Sequence, residues 1–162
     1  MKGFEFIIVA SGLNREADDF ESRFYDAGCS DATISFQRGL ILLDFCREAH
    51  TLTEALNSAI KDVRSAGADV QSIEPDPLVS LSDIAERVGK TRAAVSLYAT
   101  GQRGVGGFPP PVHRVSTSTP LYRWSSVARH VVERGEIDPE TAEQALAIEE
   151  VSRRLDRERE CA

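Results

Sequence analysis

Cysteine is scarce in this chain of 162 residues: Cys29, Cys46 and Cys161 are odd in number, far apart, and form no CxxC pair with His partners at zinc spacing. That spacing predicts no structural zinc and no disulfide framework, as expected of a reducing cytoplasm. Long hydrophobic runs are missing as well. The longest, Phe6 to Ala10, is too short for a membrane-spanning helix or a signal-peptide core of ~7–15 residues, so a cytoplasmic protein is expected. Histidine is sparse: His50, His113 and His130 stand in three separate contexts, and no Cys/His, Ser/His/Asp or paired-carboxylate arrangement is visible. The expectation is a non-enzyme without cofactor or metal. With 41% hydrophobic residues, 28% charged, 11 Gly and 7 Pro, the composition is neither collagen-like nor that of a disordered chain, and the length suits one or two domains.

Basic residues are also in deficit, 19 against 26 acidic, but they are unevenly placed. Residues 1–78 carry 7 Lys/Arg and 14 Asp/Glu, residues 79–135 carry 8 and 3, and residues 136–162 carry 4 and 9. A basic island between two acidic segments is a candidate polyanion surface whose neighbours suppress indiscriminate binding.

Along residues 1–76 the pattern reads βαββαβ. Phe4–Val9 is a buried strand. Ala17, Phe20, Phe24 and Ala27 give one face of a helix from Asn14 to Tyr25, with Asn14 as cap and Gly28 as stop. Ala32–Phe36 and Leu40–Phe45 form a hairpin about Arg38-Gly39. Thr51 or Thr53 caps a second helix with Leu56, Ala59, Ile60 and Val63 on its face, and Asp69–Ile73 is the last strand. This order predicts an α+β, ferredoxin-like domain, a four-stranded antiparallel sheet with two helices on one face. Pro75-Asp76-Pro77 marks a linker. Cys46 is expected to be a buried thiol and His50 a surface imidazole, and the acidic group Glu16, Asp18, Asp19 and Glu21 a solvated helix face.

Residues 78–135 form a second predicted domain. Ser80 and Asp83 make a capping-box pair ahead of a helix over Leu81–Val88, Gly89 reverses the chain, and Thr91 caps a second helix over Arg92–Ala99. Two short helices about a glycine turn fit a helix-turn-helix. Gly101–Gly107 and Pro109-Pro110-Pro111 read as an exposed loop. Val112–Val115 and Leu121–Trp124, flanking a polar tip, read as a two-stranded wing, and Ser125 or Ser126 caps a following helix that ends at Gly135. Gly89-Lys90-Thr91 ends like a phosphate-binding loop but lacks the earlier glycine and the preceding strand. Residues 136–162 open with Asp138-Pro139-Glu140, a helix start, and run on as a C-terminal helix with Ala145, Ile148, Val151 and Leu155 on one stripe. That stripe suits either a partner strand in a dimer or packing on its own chain; the charged end, Arg153 to Glu160, is expected to fray.

Residues 80–133 resemble the winged helix-turn-helix DNA-binding domains of the MerR and excisionase type. The resemblance rests on Ser82-Asp83-Ile84-Ala85-Glu86-Arg87-Val88-Gly89, Thr91-Arg92-Ala93-Ala94-Val95-Ser96, Phe108-Pro109 and Leu121-Tyr122-Arg123-Trp124-Ser125-Ser126-Val127. It implies that the second helix enters the major groove and that the wing reaches the flanking backbone. Arg92, beside Thr91 and with Ser96 and Thr100 on later turns, is then the base reader, and Lys90, Arg103, His113, Arg114 and Arg123 contact phosphates. The expected function is a dimeric, sequence-specific transcriptional regulator on double-stranded DNA in the nucleoid. Residues 1–76 would dimerise, sense an effector or bind a protein; an antitoxin-like neutralising module and an excisionase-like architectural factor are the alternatives.

Overall fold

The computed structural model describes residues 1–101 and 106–161. The fold is mixed α+β, and the chain divides into two compact units. One is Met1–Pro75 with the chain from Glu150 onward, and the other is Asp76–Glu149.

In the first unit, strands β1 (Lys2–Ser11), β2 (Ala32–Gln37), β3 (Leu40–Ala49) and β4 (Asp69–Glu74) form one antiparallel sheet in the order β2-β3-β1-β4. Helices α1 (Phe20–Ala27) and α2 (Leu52–Ser65) complete the βαββαβ order. Alternation decides the faces. Phe6, Ile8 and Ala10 of β1 and Ile41, Leu43 and Phe45 of β3 are buried with Phe20 and Phe24 of α1 and Leu56, Ile60 and Val63 of α2. Thr51, whose Oγ1 accepts from Glu54 N at 3.2 Å, is the cap of α2.

Two expectations for this unit are corrected. Helix α1 begins at Phe20 and not near Asn14, because Asn14 Oδ1 accepts from Glu16 N at 3.0 Å in a side-chain turn, and every residue from Asn14 to Asp19 is exposed. Without an apolar anchor, those residues gain nothing from helix formation until Phe20 reaches the core. Cys46 is exposed, since it alternates onto the sheet face away from Phe45. Arg47, by contrast, is buried on the core face. Its guanidinium donates to Asp31 (2.8 and 3.0 Å), Asp62 (2.9 Å), Ser58 Oγ (3.1 Å) and the Gly28 carbonyl (2.7 Å), and it lies 5.0 Å from the Phe45 ring. A buried cation survives only when so fully paired.

In the second unit, a two-stranded sheet joins β5 (Leu78–Val79) to β6 (Tyr122–Arg123). Around it lie helices α3 (Leu81–Val88), α4 (Arg92–Ala99) and α5 (Trp124–Glu133). The core holds Val79, Ile84, Ala85, Val95, Tyr122, Trp124, Val127, Ala128, Val131 and Ala145. Helix α6 (Pro139–Glu160) is not a third domain. Its residues through Glu149 belong to this unit and those from Glu150 to the first, and Ala145, Ile148, Val151 and Leu155 are all buried within the chain. Of the two fates for that stripe, packing on its own chain is the one realised. Nor does its charged end fray. Arg154 donates to Asn57 Oδ1 (2.7 Å), Arg64 to Glu158 (2.6 Å) and Arg159 to the Gln71 carbonyl (3.1 Å), which together hold the helix to Glu160.

Candidate nucleic-acid interface

The helical pair α3–α4 is built by local rules. Ser80 Oγ accepts from Asp83 N at 3.2 Å while Asp83 Oδ2 accepts from Ser80 N at 2.9 Å, so a reciprocal box starts α3. Gly89 ends it at φ 70°, and Lys90 N donates to Ala85 O at 2.9 Å, a left-handed closure that a side chain would strain. Three residues after the end of α3, Thr91 Oγ1 accepts from Ala94 N at 3.1 Å and starts α4. Val95 plugs α4 into the core. Thr91, Arg92, Ala93 and Thr100 are left exposed, with Ser96 and Leu97 half-buried.

The expected site residues fare differently. Arg92 is exposed in the first turn of α4 and has no partner among the described residues. Thr91 is committed to the cap. Thr100 Oγ1 donates back to Ser96 O at 3.0 Å, so its hydroxyl hydrogen is occupied within the helix. Lys90 is half-buried, its Nζ 3.8 Å from Glu136 and 5.7 Å from the Tyr98 ring. Arg134 meets the same carboxylate at 3.6 Å and the same ring at 5.1 Å. A phosphate at Lys90 would compete with Glu136. His113 and Arg114 are exposed, Arg114 at φ 53°, and Arg103 lies outside the described residues.

The hairpin is narrower than the 112–124 wing expected from sequence. Val112 N and His113 N both donate to Leu121 O (2.8 and 3.3 Å) and Leu121 N returns to His113 O (2.9 Å), a single bridge closing the turn. Beyond it the chain leaves for β5, because Tyr122 is buried in the core and packs edge-on against Phe108 with ring centres 5.7 Å apart. Arg123 is therefore not a wing residue. Its Nη1 sits 2.6 Å from Glu149, a carboxylate that also accepts from Ser125 Oγ at 2.7 Å. Ser125 consequently does not cap α5, whose first residue is Trp124 and whose start carries no side-chain cap. Sequence reasoning missed Glu149, which no local pattern flags, and Arg87. Arg87 lies 5.1 Å from the Trp124 ring and donates to Asp76 O at 3.2 Å, with Nη1 buried and unpartnered among the described residues. Burial pulls its pKa down, against the opposing pull of Asp83, Asp76 and Glu86.

The basic island is thus partly neutralised by folding. Of its eight cations, Arg87, Lys90, Arg123 and Arg134 are held internally. Arg92, Arg114 and Arg129 are exposed without a partner among the described residues. Arg129, on α5, was not anticipated. The folded unit Asp76–Glu149 also gathers Asp76, Glu136, Asp138, Glu140, Glu143 and Glu149, so positive potential depends on where the three free arginines lie and not on net charge.

No protein-family model matches the chain, and no curated protein or solved structure matches it. Among the described residues, no group of three or more His, Cys, Asp or Glu is placed to hold a metal ion, and no helix is long and apolar enough to cross a membrane.

Proposed function

We propose that residues 80–133 form a winged helix-turn-helix of the MerR and excisionase type, that α4 is its recognition helix, and that the protein is a sequence-specific, DNA-binding transcriptional regulator acting in the cytoplasm on the nucleoid. The observation that carries this reading is Arg92. A helix held by its back through Val95, and started by a capped turn, presents at its exposed N-terminal end a guanidinium that has no partner among the described residues and is of the kind that reads guanine bidentately. Arg114 on the hairpin and Arg129 on α5 supply phosphate contacts, each adding a log–log salt slope of about −0.9 per phosphate neutralised. A single short helix reads few bases, so two copies on related half-sites complete the site. The first unit, whose βαββαβ order and β2-β3-β1-β4 sheet support a ferredoxin-like assignment, provides the second contact surface.

Selection of genomic DNA fragments by the purified full chain at about 150 mM salt tests the proposal, because non-specific binding is weak there. A recurring motif with two related half-sites is the expected result. Absence of enrichment, with Arg92→Ala indistinguishable from the parent, overturns it.

A further inference from the structure

The sheet of the first unit has one face covered by α1 and α2 and one face left open, and the open face is one-sided in charge. Register places Gly3, Glu5, Ile7, Val9 and Ser11 of β1 on it with Leu40, Leu42, Asp44, Cys46 and Glu48 of β3. Thr33, Ser35 and Gln37 of β2 join them, as do Asp69, Ser72 and Glu74 of β4. Five of these positions are carboxylates, Glu5, Asp44, Glu48, Asp69 and Glu74, all exposed, and none is Lys or Arg. None of the five carboxylate groups accepts a hydrogen bond or joins an ion pair among the described residues. The acids surround an apolar centre of Ile7, Leu40 and Leu42, half-buried, and Val9 at 7% exposure.

We infer that this open face is a docking surface for a cationic, amphipathic protein segment about one helix wide. Size, charge and polarity lead to the same occupant. Four strands about 4.8 Å apart leave about 15 Å between the outer two, and ten residues at ~3.4 Å give a length of about 34 Å. Those dimensions seat one helix of ~10–12 Å diameter. An apolar ridge on that helix would cover Ile7, Val9 and Leu42, and Arg or Lys on its flanks would meet carboxylates that the fold leaves without counter-charge. A second copy of this face would set five acids against five, and nucleic acid would bring phosphate to carboxylate, so charge disfavours both. The inference stands apart from the DNA-binding reading, which concerns the other unit.

The test uses the isotopically labelled full chain without DNA. The probe is a 15-residue peptide with Leu at three- and four-residue spacing and Arg between, and the control is its Glu-for-Arg counterpart. Amide shifts confined to β1, β3 and β4 around Ile7, Val9, Leu42 and Ser72 are expected, weakening as salt is raised, with none from the acidic peptide. The triple variant Glu5→Gln/Asp44→Asn/Glu74→Gln should bind at least fivefold more weakly. Glu16→Gln/Asp18→Asn, which removes exposed acids elsewhere, and Arg92→Ala should bind as the parent does. Lack of any shift at about 1 mM peptide, shifts elsewhere on the molecule, equal loss in both acid variants, or concentration-dependent self-association through the same amides would each overturn the inference.

Discussion

The two units solve the problem of a buried arginine in opposite ways. In the first, Arg47 is surrounded by Asp31, Asp62, Ser58 and the Gly28 carbonyl, and these bonds, led by the one to Asp31, hold its pKa above the ordinary guanidinium value. In the second, Arg87 rests on the Trp124 ring with one nitrogen unpartnered among the described residues, and burial pulls its pKa down. A four-stranded sheet with two covering helices has depth enough to build a polar network around a cation. A small helical unit with a two-stranded sheet has little interior, and leaves α4 half outside it. The first arrangement favours rigidity, the second the display of one helix face.

The largest test of that contrast is Arg47→Met. Leaving Asp31 and Asp62 without their cation should destabilise the first unit by about 3–5 kcal/mol. Trp124, the sole tryptophan, lies in the second unit and reports on it alone. In urea, far-UV circular dichroism should therefore shift to lower denaturant while Trp124 fluorescence moves much less; coincident shifts would mean that the two units unfold as one. The converse variant is Ile84→Ala, which opens a cavity under α3 and should cost about 2–4 kcal/mol with the fluorescence transition leading. It should also abolish DNA binding.

Side chains on α4 sharpen the comparison without disturbing either core. Arg92→Ala should lose ~1–3 kcal/mol on the selected DNA site and relax one base position, while Arg114→Ala weakens all sequences alike and lowers the salt slope by about one. Equal, sequence-independent losses in binding titrations would remove Arg92 from the base-reading role.

Alkali should distinguish the units as well. Burial, then the nearby Asp62 carboxylate, raises the Cys29 thiol from an ordinary 9.0 to about 11. The folded state therefore keeps a proton that the unfolded chain releases. Its stabilising contribution is whole below pH 9 and is lost as pH rises through 11. A denaturation series across that window should show the first unit weakening, and Cys29→Ala should flatten the trend. The smallest effect belongs to Thr100→Val. Because that hydroxyl is turned back onto Ser96, DNA affinity should stay within about 0.5 kcal/mol of the parent, and a larger loss would restore Thr100 to the interface.

Sequence alone determined what is local. The helix bounds at Leu81–Val88 and Arg92–Ala99, the Ser80–Asp83 box, the Thr91 cap and the hairpin about Arg38-Gly39 were legible, because each depends on residues within four of one another and on dihedral preferences that no distant contact alters. Periodicity likewise marked the buried stripe of α6, though not what would bury it. Tertiary structure decided the rest. Arg123 read as a wing cation until Glu149, 26 residues on, claimed it. The hairpin expected as a wing closes with a single bridge at His113 and Leu121, and its second strand goes on to pair with Leu78–Val79, where Tyr122 is buried. Of the seven described basic residues in the island, four found internal partners, and the one-sided charge of the open sheet face appeared only when register set four strands side by side. Local propensity acts through a few bonds along the chain. Pairing of charges and choice of strand partner depend on distances through space, which only the folded chain fixes.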